Sequence, residues 1–167
     1  MSILMLDARW RRLLELGGPV DIGFDEPEDW PHGPRGDAPV LAVGADRLAS
    51  DLCRCGDRRF LRVVIEVAVL GGDAQAYLAP WAEVDHPTFY AYVAHATDGA
   101  DAPAAASGTL ANDLALAGLG DALAISFPSE ARPQAAHPAF AAPLTFEALL
   151  DLYAALGHDM RPELMRS

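Results

Sequence analysis

The sequence predicts a single α+β domain over residues 1–167, with an antiparallel or mixed sheet packed against helices. Three observations carry this. The length of 167 residues suits one core, and a chain of that size buries roughly 70% of the surface it exposes when unfolded. Two strand-like stretches, 60–70 and 77–84, stand so close together that no crossover helix fits between them, which makes them antiparallel neighbours. Helical patterns occur near both ends and in the middle without repeating strand–helix units, which disfavours a doubly wound nucleotide fold.

Taken in order, Asp7 is placed to cap a first helix in which Trp10, Leu13 and Leu14 recur at helical spacing, with Gly17-Gly18 as its stop. A short strand is expected around Val20 to Phe24. Asp25 to Pro39 then carries four prolines and two glycines and reads as a long, mobile loop. Leu41 to Asp51 is assigned a short helix. From Phe60 to Leu70, Leu61, Val63, Ile65, Val67 and Val69 share one face while Arg62 and Glu66 take the other, and Gly71-Gly72-Asp73 ends the strand. Tyr77 to Val84 is its partner, and Pro80 within it predicts an edge or a bulge.

Asp85 caps the next helix, with Pro87 in the first turn and Phe89, Tyr92, Val93 and Ala96 along its apolar side. Asp98 to Gly108 is small and polar, a second mobile loop. Thr109 to Leu119 carries no clear pattern, Ala122 to Phe127 is a strand, and Pro128 to Pro143 is irregular with four prolines. A last helix starts at the Thr145 cap, aligns Phe146, Leu149, Leu150 and Tyr153, and stops at Gly157, beyond which the C-terminus is expected to fray.

Composition excludes several function classes. Twenty-four acidic residues against twelve basic ones give a net charge of −12, which repels a phosphate backbone and removes nucleic acid as a partner. The same field favours encounter with a basic protein. All twelve basic residues are arginine, so a phosphate-loop lysine, a Schiff-base amine and a lysine general base are ruled out. The most apolar run, Val63 to Leu70, contains Glu66 and falls far short of the ~20 residues of a membrane span. The arginines of MSILMLDARWRR follow its apolar start, the reverse of a secretory signal, which points to the cytoplasm. Cys53 and Cys55 form a lone Cys-x-Cys without the second pair a closed zinc site needs, so two reduced thiols, no metal and no cofactor are expected.

Arginines crowd the segment from Asp51 to Arg62. Arg58, Arg59 and Arg62 are candidates for clamping a carboxylate or phosphate, against a competing reading of an ion-paired turn leading into the strand. Asp85 and His86 are candidates for an acid–base pair, but neighbours at a helix start point apart, so Asp85 suits a cap better. Arg132-Pro133 and His137-Pro138 pose the same choice between an anion fork and a plain proline-rich connection. The leading functional expectation is a non-catalytic protein-binding module, immunity-like or regulatory, that masks a basic protein such as a toxin. Its contact residues would be Asp25, Glu26, Glu28 and Asp29, with Trp30 as an aromatic anchor among them. The alternative is a small hydrolase or transferase using His86 and Asp85 with an arginine anion clamp.

Three stretches read together carry a resemblance: Leu48 to Cys53 followed by Arg59 to Val69, then Gly108 to Asn112, then Arg132-Pro133 with His137-Pro138. In that order the chain resembles the bacterial domain-of-unknown-function family 2199. The resemblance implies a bacterial α+β protein and brings no activity with it. Many members carry a Cys-x-x-Cys near the N-terminus; this chain has the cysteine-free DEPEDWPHGP loop there, so a zinc role does not transfer.

Overall fold

From Leu61 to Val69 buried side chains alternate with half-buried or exposed ones throughout, and all five inward residues are at 4% exposure or less. The computed structural model describes residues 12, 13, 15, 16, 21–70, 75–129 and 131–164. Asp7, Trp10, Leu14, Gly17-Gly18 and Gly71-Gly72-Asp73, named above as caps, faces and stops, lie outside the described residues. In chain order the strands are β1 Ile22–Gly23, β2 Val40–Val43, β3 Asp46–Ala49, β4 Leu52–Cys55, β5 Arg58–Arg62, β6 Ile65–Ala68, β7 Gln75–Ala79 and β8 Trp81–Val84. Helix α1 His86–Asp98 is followed by β9 Ala106–Leu110, β10 Ala122–Ser126 and β11 Gln134–Ala136, a 3-10 turn at Pro138–Phe140, and helices α2 Phe146–Ala155 and α3 Arg161–Leu164.

An eight-stranded antiparallel sheet runs in the order β11-β10-β9-β8-β5-β4-β3-β2, and a smaller mixed sheet in the order β1-β7-β6. One long hairpin serves both. Arg62 pairs with Trp81 and Ile65 with Leu78 in a single unbroken register, so β5–β6 and β8–β7 are two continuous strands bent at the same level. The bend is at Pro80. Its carbonyl still accepts from Val63 N–H at 2.9 Å, but it has no N–H to return, and one ladder bond is missing. Val64 turns to β11 instead, donating to Pro133 O and accepting from Ala135 N–H, both at 2.9 Å. The large sheet thereby curls round until its last strand meets the hairpin again. Pro80 is therefore neither at an edge nor in a bulge but at the point where two sheets part.

The short helix expected over 41–51 is instead the β2–β3 hairpin followed by β4. Two-residue turns, Gly44-Ala45 and Gly56-Asp57, close β2–β3 and β4–β5, and each glycine sits at φ +59, as the first position of a Gly-X hairpin turn demands. Strand β11 falls within the proline-rich stretch read as irregular, and β9 begins inside the 98–108 segment read as a mobile loop, where Ala106, Ser107 and Gly108 pair with β10, and runs on into the patternless stretch after it. Helices α1 and α2 follow expectation, whereas α3 forms in the C-terminal stretch expected to fray. Asp85 Oδ1 accepts from Thr88 N–H at 2.8 Å, and Thr145 caps α2, which buries Phe146, Leu149, Leu150, Leu152 and Tyr153. Gly157, at φ +85, ends α2 with a bond from His158 N–H to Tyr153 O. Leu164 of α3 is buried in the main core, together with Leu13.

A second, smaller core lies on the opposite face of the large sheet, where Leu48, Cys53, Phe60 and Trp81 meet Trp30 and Ala111. Its cover is the segment 24–39, and Asn112 holds that cover down. Asn112 is 5% exposed; its Oδ1 accepts from Trp81 N–H at 2.7 Å and its Nδ2 donates to Glu26 O at 3.0 Å. Trp81 Nε1 donates to Phe24 O, and Glu28 N–H to Ala111 O, both at 2.8 Å. Asn112→Ala leaves a buried N–H and a carbonyl without partners. It is expected to cost about 2–3 kcal/mol, roughly 5–10 °C in Tm, with a red shift of tryptophan emission as the cover loosens. Thermal unfolding followed by fluorescence checks this; an unchanged Tm removes Asn112 from the role given to it here.

Candidate functional site

Strand periodicity decides which side chains can act together. On β2 to β5 the face turned toward α1 carries Val40, Arg47, Ala49, Leu52, Arg54 and Arg59, and the opposite face carries Leu48, Cys53, Phe60 and Arg58. Helix α1 packs over β5, with Phe89 buried in the main core. Between the helix and the sheet is a groove of about 270 Å3, with Val40, Ala49 and Leu52 along the sheet side and Phe89, Tyr90 and Val93 along the helix side. Val40 is 50% exposed and Tyr90 46%.

Arg47 pairs with Arg54 across β3–β4, and Arg54 with Arg59 across β4–β5, so three guanidiniums stand in one cross-strand row beside the groove. Like charges directly opposite each other on a sheet are destabilising. Among the described residues none of the three forms an ion pair: Arg47 donates to Gly44 O and Asp46 O, Arg54 to Ala45 O, and Arg59 to Gly56 O, Arg58 O and the Tyr90 hydroxyl at 3.2 Å. Arg59 and Arg54 together hold the Tyr90 phenol below its ordinary pKa, Arg59 by the larger amount. In a protein of charge −12, this is a local positive face with an apolar trough at its side.

The row differs from the clamp expected of Arg58, Arg59 and Arg62. The pleat places Arg59 on one face and Arg58 and Arg62 on the other. Arg58 is spent on Glu83 at 2.8 Å and Asp29 at 2.9 Å, the ion-paired alternative weighed for this segment. Arg62 lies apart, against β1. Arg47 and Tyr90 were missed by sequence reasoning; Gly56-Asp57, which marks a hairpin turn, puts Arg54 opposite Arg59 but carries no signal for those two.

Asp85 and His86 are not brought together. The Asp85 carboxylate caps α1, which lowers its pKa, while His86 Nε2 bonds Asp57 O at 2.6 Å. His137 does not face Arg132: its Nδ1 accepts from Ala139 N–H at 3.0 Å, so Nε2 carries the proton that it gives to Asp121 Oδ2 at 3.0 Å. The acidic loop is also partly committed. Trp30 is 7% exposed, with Nε1 donating to Gly33 O at 2.9 Å, and so serves as core rather than as an outward anchor. Asp29 pairs with Arg58, Glu28 Oε2 accepts from Asp113 N–H at 3.1 Å, Glu26 is half-buried, and Asp25 is exposed.

Cys55 meets Asp46 at 3.6 Å, and the other contacts of that carboxylate are His32 at 2.8 Å and Gly56 N–H at 2.8 Å. These bonds, Gly56 first and His32 next, hold Asp46 below the usual carboxylate range. Burial first, then Asp46, pushes the Cys55 thiol up, and burial pushes Cys53 up to about 12. The arrangement is a thiol and an imidazole that both meet Asp46 Oδ2, and the carboxylate charge beside the thiol works against the thiolate that a cysteine nucleophile needs. Among the described residues, no group of three or more His, Cys, Asp or Glu is placed to hold a metal, and no helix is long and apolar enough to cross a membrane.

A family model described as an uncharacterized protein conserved in bacteria (DUF2199) matches residues 15–144, well over half of the chain. The chain belongs to this family. No curated protein and no solved structure matches it. The DUF2199 segment contains the groove, the arginine row and Asn112, and it ends just ahead of α2.

Both thiols are expected to react slowly with a disulfide reagent at neutral pH, because a raised pKa leaves little thiolate. Asp46→Asn removes the neighbouring negative charge and is expected to speed Cys55 several-fold while Cys53 stays inert until unfolding. Stopped-flow thiol titration measures this; equal Cys55 rates in the two proteins contradict the assignment.

Proposed function

We propose that the protein is a non-catalytic binding module that takes an extended segment of another protein along the free edge of β2. The observation that supports this is the character of that edge. Val40–Val43 ends the eight-stranded sheet with four apolar residues, and Val40 and Val43 are 50% and 37% exposed. Sheet edges in soluble proteins are ordinarily blunted by charges, prolines or covering segments, because an open edge pairs with any compatible strand. A strand added there would place alternate side chains over the groove, within reach of Arg47 and Arg54, so a carboxylate on that strand would be matched.

The partner is a protein of net positive charge that presents an acid-bearing extended segment. The overall charge of −12 draws such a protein from a distance, and the arginine row orients its acidic segment on contact. Masking a partner in this way is the immunity-like or regulatory role expected from composition, with the contact moved from the Trp30 loop to the β2 edge.

Capture by the tagged protein at low and moderate salt tests the proposal. The wild type is expected to hold one protein in stoichiometric amount. Val40→Lys and Arg54→Glu are each expected to reduce recovery at least tenfold, whereas Leu116→Lys, on the β9–β10 connection, leaves it unchanged. Recovery that survives both of these substitutions, or a second copy of this chain as the only species held, overturns the proposal.

A further inference from the structure

On the opposite side of the hairpin, where β1 runs beside β7, lies a cavity of about 400 Å3 bounded by Gly23, Arg62, Val64, Tyr77, Ala79 and Arg132. Arg62 reaches into it from the strand interior and is half-buried. Its Nε donates to Ala79 O and its Nη1 to Ser50 O, both at 3.4 Å, the long limit of a hydrogen bond. It forms no ion pair among the described residues. Asp51 and Asp25 act on it through space, but Asp51 is ion-paired with Arg132 Nε at 3.3 Å. Burial first, and then the charge of Arg132, make its protonated form harder to hold. A guanidinium partly removed from water without a bonded counter-charge is costly, and this one also feels the charge of a second cation, Arg132.

Arg62 lies close against β1. A Cβ at Gly23 would meet its Nη2, the far end of a flexible side chain. Asp21 at the rim accepts from Tyr77 N–H at 3.1 Å, which fixes β1 against β7. Val64 and Ala79 give the cavity apolar walls, and the Tyr77 ring is 39% exposed beside it.

We propose that this cavity binds a small organic oxyanion, a carboxylate or phosphomonoester with a flat apolar body, held by the Arg62 fork with Arg132 as the outer contact. Arg62 supplies paired N–H donors matched to two anionic oxygens, Arg132 adds charge at the mouth, and the Tyr77 ring and Val64 cover the apolar part. The site stands apart from the β2 edge, on the other face of β5, and does not depend on the function proposed for that edge.

Titration of the labelled protein by NMR with benzoate, phenyl phosphate, inorganic phosphate and benzyl alcohol tests it. Saturable shifts are expected at Gly23, Val64 and Ala79 with benzoate or phenyl phosphate, and the tighter of the two identifies the head group. Benzyl alcohol, which keeps the ring and loses the charge, is expected to bind at least tenfold more weakly. Arg132→Gln, at an exposed side chain whose loss the fold tolerates, is expected to weaken binding about tenfold, and Arg62→Lys more than that. Arg47→Gln is expected to leave it unchanged. Absence of saturation with all three anions, equal binding of benzyl alcohol, or full affinity in both Arg62→Lys and Arg132→Gln overturns the proposal.

Discussion

One missing N–H organises this molecule. A hairpin running unbroken from β5 to β8 would ordinarily keep both of its strands in one sheet. Because Pro80 cannot return the bond that Val63 gives it, the ladder weakens at that level and the strands separate toward different neighbours. Above the joint, β8 joins β9 and β5 joins β4; below it, β7 takes β1 and Val64 accepts β11. The curl of the large sheet, the closure by β11 and the small β1-β7-β6 sheet follow from that division. So does the position of Arg62, which is the last residue of β5 and sits at the parting of the two sheets.

The pleat then separates two kinds of chemistry. One face of the outer strands packs a tryptophan-rich core under a proline-rich cover pinned by Asn112, and beside that core Arg58 is consumed in pairs with Glu83 and Asp29. The other face carries Arg47, Arg54 and Arg59 in line, bonded to carbonyls and a phenol but to no carboxylate among the described residues. Neighbouring positions on a strand thus have unrelated fates. Arg58 is a structural ion pair and Arg59 part of an open cationic row.

This explains which parts were legible in the sequence. The inward face from Leu61 to Val69, the caps at Asp85 and Thr145 and the apolar stripe of α2 depend on local periodicity or a local hydrogen bond, and they could be read directly. The β2–β3–β4 meander could not, because Val40 to Val43 is apolar without alternation and its turns rest on glycines that also suit a loop. Proximity in sequence misled at the arginines: Arg58, Arg59 and Arg62 looked like one cluster until the pleat divided them, while Arg47 and Arg54, seven positions apart, are direct neighbours. The burial of Trp30 depends on Asn112, more than eighty positions away, and no local pattern reports a contact of that kind.

The lack of lysine gains a further meaning at the arginine row. Guanidiniums stay charged across the whole physiological pH range and offer no amine for acylation. Two of the commonest ways by which cells silence a positive surface, a shift in acidity and the transfer of an acetyl group, have nothing to act on there. The face is constitutive, present at full strength in every folded copy, and its influence scales with the number of copies made.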